Sequence, residues 1–382
     1  LEERLQQYKQ TENLGELFSG GIIGYISYDY VRQQVQLAEK ATRRSNLPLF
    51  YFYLFEHWAV FDEEKEEVYL FVLNQEEKRM KEWLSQWEKA KDTQSTSHQS
   101  YYTKSELTQS VSQQQFEKNV TAVQDAIKEN QVTQVNLSVR QSKKTNVPAS
   151  VYYQQLRNLN PSPYMALIEH PEFQVASASP ELLIKKTGSH LITKPIGGTR
   201  RRGQTHEEDL ELAKDLASSR KELEEHQMLV DLEVDDFQKV CTQETVRVTK
   251  SNTIETYSHV LHLVSTIEGE LKEKCSWSQL FKAIFPGGSI TGDPKLPTFE
   301  LIEELEPERR GLYTGSIGWI GFNGDMELNI VIRTAIFEAG EVTVQAGAGL
   351  TIDSNPTDEY VESLTKAEAL WKALEDCTDV ED

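Results

Sequence analysis

The residues with the most legible chemistry are acidic and sit in two distant segments. In SRKELEEHQMLVDLEVDD, Glu222 and Glu225 are three apart, so on a helix they share a face, with His226 adjacent and Met228, Leu229 and Leu232 on an apolar side. Carboxylates presented this way suit a hard cation such as Mg²⁺, which takes one or two protein carboxylates plus substrate oxygens and water. The same letters also write an ordinary solvated helical face. Near the C-terminus, DEYVESLTKAEALWKAL repeats the pattern with Glu359, Glu362 and Lys366, which equally fits the ion pair of a plain surface helix. Only spatial convergence of the two helices separates these readings.

Glycine clusters come next. PIGGTRRRG holds Gly197, Gly198 and Thr199; FPGGSITGDPK holds Gly287, Gly288 and Gly292 with Ser289, Thr291 and Lys295; QAGAG holds Gly347 and Gly349. Read as tight turns, they let backbone N–H groups approach an anion, or they are structural turns and nothing more. None has the GxxxxGK[ST] or GxGxxG spacing, so a small carboxylate fits better than a nucleotide. His262, three after His259 and flanked by Val260, Leu261, Leu263 and Val264, is either a core histidine or a general acid or base. Arg333 in NIVIRT lies among apolar strand residues, where a guanidinium needs an anionic partner; a substrate carboxylate would serve.

The elements that position these groups read as α+β. Phe18 to Leu73 is rich in β-branched and aromatic residues. Composition then turns charged, and DTQSTSHQSYYTKSE reads as a surface linker, giving an expected division into a sheet region with linker over 1–108 and a main domain over 109–382. Phe116, Val120, Val123 and Ile127 have helical spacing, and QVTQVNLSVR alternates like a strand. We expect single strands in FQVASASPELLIKK and HLITKP, a long charged helix from Glu207 to Val234, and a closing hairpin of ELNIVIRTAIF with EVTVQAGAGLTI. Hairpins with long helices point to antiparallel sheets covered by helices.

The 382 residues carry 61 acidic against 40 basic side chains, a net charge of −21, which opposes binding to nucleic acid or anionic lipid. No apolar run approaches the roughly 20 residues of a membrane span, and LEERLQQYKQ is too charged for a signal peptide, so a cytoplasmic location is expected. Cys241, Cys275 and Cys377 are too scattered for a disulfide framework or a CxxC metal site. The chain opens on Leu, which leads us to expect that an N-terminal segment is missing.

Taken in order, QVNLSVRQ, NPSPYM, SPELL, KPIGGTRRRG, KELEEHQMLVDLE, YSHVLHLVSTIEGEL, FPGGSITGDPK, EELEPERRGLYTGSIGW, NIVIRT, QAGAGLTIDSNPTDEY and ESLTKAEAL resemble the chorismate-utilising enzymes, the family of anthranilate synthase and aminodeoxychorismate synthase large subunits. The resemblance runs from Phe18 to the final helix. It implies a four-layer α/β/β/α sandwich of two antiparallel sheets. It implies Mg²⁺ held by Glu225 and Glu362, with Glu222 a helper. Arg333 and Tyr313 would hold the enolpyruvyl carboxylate with backbone at Gly347 and Gly349. Gly197, Gly198, Thr199, Thr291, Gly292 and Lys366 would make further substrate contacts. Glu181 in SPELL would be the general acid at the departing C4 hydroxyl, with His262 beside the ring.

By the same resemblance, relatives that use water have a lysine where this chain has Gln134, so ammonia, delivered by a glutamine amidotransferase partner, is the expected nucleophile. Gly197 lacks the lysine with which some 4-aminating members attack C2. The resemblance nonetheless favours 4-amination over anthranilate formation. Two departures stand out: DLEVDD (Asp231–Asp236) replaces the usual DLxRND, and Asp293 replaces the alanine of GAPK. They keep open a chorismate-fold binding or regulatory subunit that has lost catalysis.

Overall fold

The computed structural model describes residues 2–5, 7–8, 17–73, 77–90, 100–104, 106–257 and 259–378. Most of the expected linker, 91–99 and 105, lies outside the described residues.

Two antiparallel sheets carry the architecture. In the larger, the spatial order is Ile196–Arg201, Val260–Glu270, His190–Lys194, Leu182–Thr187, Met326–Asn329, Ser316–Gly321, Gly21–Ile26 and Phe50–Leu54, with Arg247–Thr256 also paired to Val260–Glu270. The smaller runs Gly292–Asp293, Gln134–Lys144, Glu341–Leu350, Thr334–Glu338, Phe173–Ser179 and Tyr164–Glu169. Strands Gly21–Ile26 and Phe50–Leu54, from before Thr108, are thus laid into the same sheet as later strands.

Two-residue alternation sorts side chains between layers. From Gly21–Ile26, Tyr25 joins an inner cluster with Ile168, Phe173, Val175 and Ile317, contributed by both sheets. Ile22 and Ile26 instead join the cluster that contains Val230, Phe237 and Phe281 of helices Arg220–Val240 and Trp277–Ile284. On the other sheet, Phe173 and Val175 face the inner cluster while Ala176 and Ala178 meet Tyr152, Leu370 and Leu374 of helices Ala149–Leu159 and Pro356–Glu375. The order helices, sheet, sheet, helices is the α/β/β/α expectation. Helix Gln113–Lys128 buries Phe116, Val120 and Val123, as their spacing predicts. Among the described residues no helix is long and apolar enough to cross a membrane.

Local continuity is where the sequence reading needs correction. FQVASASPELLIKK is two strands in different sheets, Phe173–Ser179 and Leu182–Thr187, with Pro180 and Glu181 at the passage between them. ELNIVIRTAIF likewise splits into Met326–Asn329 and Thr334–Glu338, with Arg333 at the passage and in the left-handed region at φ 50°. The charged helix breaks at Ser219, whose extended backbone and side-chain oxygen cap Arg220–Val240. PIGGTRRRG and QAGAG are not turns: both lie within strands, Ile196–Arg201 and Glu341–Leu350.

Candidate active site

The two sheet-to-sheet passages are stitched to each other. Ile330 N–H donates to the Glu181 carbonyl at 3.0 Å, and Ala178 N–H to the Arg333 carbonyl at 3.0 Å. The Ser179 hydroxyl donates to the Ile330 carbonyl at 2.6 Å. Glu181 and Arg333 therefore arrive together at the edge of both sheets, where a cavity of about 540 Å³ opens. Every expected site residue lines it except Thr291 and Gly292. Thr291 is fully buried and donates its hydroxyl to the Gly287 carbonyl at 2.8 Å. Gly292, at φ +130°, pairs with Val135 and faces a separate cavity. Both shape the turn behind the site instead of contacting its space.

Gly197 and Gly198 serve close approach. A Cβ on Gly197 would stand 2.8 Å from Cβ of His226, and one on Gly198 would stand 2.1 Å from Oε2 of Glu222. A Cβ at Gly197 meets the root of the His226 side chain and would push helix Arg220–Val240 away, whereas one at Gly198 would force the Glu222 carboxylate out of its place. Their absence of Cβ lets the helix sit directly on strand Ile196–Arg201 and bring Glu222, Glu225 and His226 to the cavity wall.

Glu181 is buried, and burial raises its carboxyl to about 7, against opposing contributions from the Ser289 hydroxyl, Arg333 and Lys366. Ser289 donates to Oε1 at 3.1 Å. Such a carboxyl is about half protonated at neutrality, against almost none for an ordinary glutamate, and can give a proton to a leaving oxygen. Burial lowers His262 to about 4, so its imidazole is neutral; Nδ1 meets the Thr199 hydroxyl at 2.9 Å and Nε2 is without a partner. Among the described residues the Arg333 guanidinium has no hydrogen-bond or ion-pair partner, and burial lowers its pKa. A desolvated, unpaired cation on a cavity wall is a receptor for an anion. Asn136 adds an unpaired buried Oδ1 to the same wall.

The two acidic helices converge. Burial raises Glu225 above the usual carboxylate range, and the charges of Glu222 and Glu362 add to the rise. Glu359 is raised by burial and by Glu362. Each is held by a neighbour: Lys221 stands 3.6 Å from Glu225, Lys366 2.7 Å from Glu362, Arg200 2.9 Å from Glu222, and the Ser354 hydroxyl 2.7 Å from Glu359. Among the described residues no three His, Cys, Asp or Glu side chains gather as a closed metal cage. Two carboxylates from facing helices, crowded by like charge and open to the cavity, nonetheless fit the oxygen donor set of Mg²⁺, which keeps positions for substrate and water.

One group escaped the sequence reading. Arg310, in EPERRG, is fully buried; it bonds Glu306 at 2.8 and 3.0 Å, the Ile290 carbonyl at 3.0 Å and the Asn136 carbonyl at 2.6 Å, tying three segments around the cavity. Ser289 and Glu359, which the sequence reading named in their motifs without giving either a role at the site, also line it. The departures lie outside the cavity: Val234 packs against the core under its helix, Asp235 lines a separate cavity, and Asp293 accepts from the Thr133 hydroxyl at 3.3 Å. None adds charge to the lining.

Residues 1–372 match the chorismate binding enzyme family. Aminodeoxychorismate synthase component 1 of Bacillus subtilis (strain 168) is 44% identical over 364 residues, 94% of this chain and 77% of that protein. Anthranilate synthase component 1 of Aquifex aeolicus (strain VF5) is 48% identical over 220 residues, 58% of this chain and 44% of that protein. The crystal structure of anthranilate synthase component I from Streptococcus pneumoniae TIGR4 superposes with a TM-score of 0.86 at 30% identity, covering 97% of this chain and 85% of that one.

Proposed function

The chain belongs to the chorismate binding enzyme family, and on that premise we infer that it is an aminodeoxychorismate synthase component 1, converting chorismate and ammonia to 4-amino-4-deoxychorismate. The observation that carries this choice of product is the 44% identity to the Bacillus subtilis enzyme over 94% of the chain. Anthranilate synthase is the second reading, favoured by the shorter but more similar stretch shared with the Aquifex protein.

The chemistry asks for three things that the cavity wall supplies. Chorismate is a dianion, and the unpaired Arg333 guanidinium, with Lys366 and Tyr313 on the same wall, accounts for a carboxylate. Hydroxide is a poor leaving group, so the C4 oxygen needs a proton as it departs; Glu181, held near 7 by burial, is the acid. Ammonia attacks without a base, which agrees with Gln134, and not a lysine, at position 134 of the lining. Neutral His262 packs beside the ring with Nε2 free to meet it.

Glu225 and Glu362, with Glu222 and Glu359 beside them, would hold a Mg²⁺ ion. When bound, that ion supplies Lewis-acid withdrawal of electron density through the ring carboxylate. As a component 1, the chain takes ammonia from a glutamine amidotransferase subunit.

The test is product analysis. Chorismate, Mg²⁺ and ammonium salt, which replaces the partner, are expected to give 4-amino-4-deoxychorismate, converted to 4-aminobenzoate only when a lyase is added. Accumulation of anthranilate would transfer the assignment to the second reading, and isochorismate formed without ammonia would overturn the choice of nucleophile.

A further inference from the structure

In strand Gln134–Lys144, Val135, Leu137 and Val139 pack in the same cluster as helix Gln113–Lys128, so Gln134, Asn136, Ser138 and Arg140 share the opposite face, between the sheets. Deeper in, these polar groups are paired. The Ser138 hydroxyl donates to Glu306 at 2.7 Å and accepts from Gln345 Nε2 at 2.8 Å, and Arg140 donates to Gln345 Oε1 and to the Arg309 carbonyl. Asn136, on the cavity wall, differs: among the described residues neither end of its amide has a partner. Oδ1 is shut off from solvent, which leaves Nδ2 as the end on the cavity side. Oδ1 stands 2.9 Å from where a Gly347 Cβ would be, and so fills the room that glycine leaves. Flipping the amide would shut in two N–H donors in place of one acceptor, the costlier choice. The backbone is fixed on both sides, with Asn136 N–H donating to the Thr291 carbonyl at 2.8 Å and its carbonyl accepting from Arg310 at 2.6 Å. The same guanidinium lies 5.5 Å from the centre of the Tyr313 ring, so Asn136, Tyr313 and Gly347 make one stretch of wall.

We propose that Asn136 is a substrate-contact residue whose Nδ2–H donates to a carboxylate of the ring substrate bound against Tyr313 and Gly347. The proposal rests on the reading of the cavity as the chorismate site. A rigid amide that makes no bond within the protein costs stability, and a ligand oxygen that accepts its N–H recovers part of that cost on binding. The amide therefore favours a ligand with an anionic oxygen at this point over one without it.

Binding and stability move in opposite directions if this is right. Leucine has the branched outline of asparagine and no polar atoms, so Asn136→Leu removes an unpaired amide without breaking a bond inside the protein. With chorismate and Mg²⁺ as the probe, no ammonia present and calorimetry as the readout, Asn136→Leu is expected to raise Kd about tenfold. Its urea midpoint should equal or exceed that of the wild type. Asn136→Ala, which cannot crowd the cavity, should show the same rise in Kd. A Kd within about threefold of wild type in the alanine variant overturns the proposal, because any loss with leucine is then steric. A lower urea midpoint for the leucine variant also overturns it, since the amide would then be bonding within the fold. Product identity is scored separately: anthranilate from the wild type would overturn the proposed function, while the Kd comparison, made without ammonia, still judges Asn136.

Discussion

Replacing Glu181 by glutamine tests the acid and the cause of its altered acidity together. Burial raises the carboxyl from 4.5 to about 7, and at about 1.4 kcal/mol per pKa unit this is a penalty of about 3 kcal/mol for ionising it in the folded protein. The sign follows from proton binding. Below pH 4.5 the group is protonated folded and unfolded, and it costs nothing. Between 4.5 and 7 the unfolded chain releases its proton while the folded one keeps it, so stability falls as pH rises; above 7 the whole penalty stands. Glutamine has no such proton and still accepts the Ser289 hydroxyl. The stability of Glu181→Gln relative to wild type should therefore improve by about 2.5 kcal/mol between pH 5 and pH 8. Urea unfolding followed by tryptophan fluorescence at both pH values measures it. Turnover should fall by about two to four orders of magnitude with chorismate binding retained. A stability difference that does not change with pH would show that the carboxyl is not desolvated as described, and retained turnover would remove Glu181 from the reaction.

Ser289→Ala deletes a hydrogen bond that favours the ionised carboxylate, so the alkaline limb of kcat, measured at constant free ammonia, should move upward by about one pH unit; a downward move contradicts the assignment. Glu225→Gln should leave circular dichroism unchanged and raise the Mg²⁺ concentration for half-maximal turnover more than about tenfold; unchanged Mg²⁺ dependence excludes Glu225 as a ligand. Arg310→Met strands the buried Glu306 carboxylate and should cost about 3–5 kcal/mol of stability by urea unfolding, and a loss under about 1 kcal/mol would mean that the three segments hold together without it.

Much of the molecule was legible because its signals are local. The period-2 and 3.6-residue patterns placed strand Gln134–Lys144 and helix Gln113–Lys128, since burial of one face is imposed residue by residue. The paired glutamates at 222/225 and 359/362 were visible as faces, and the order of motifs carried the family. Glycine misled: Gly197 and Gly198 read as turn formers, whereas the structure uses them to seat a helix on a strand. A missing Cβ leaves the same letter for either purpose.

By itself, then, the sequence determined most element types, the family and a set of site residues of which all but Thr291 and Gly292 line the cavity. Only the tertiary structure decided what those residues are electrically. FQVASASPELLIKK and ELNIVIRTAIF read as continuous strands because both halves of each are apolar, and nothing local says that the halves enter different sheets. That passage between sheets buries Glu181 and leaves Arg333 unpaired at one cavity. The acidity of a carboxyl and the need of a guanidinium for an anion depend on what surrounds them in space, and those surroundings come from segments more than a hundred residues away in the chain.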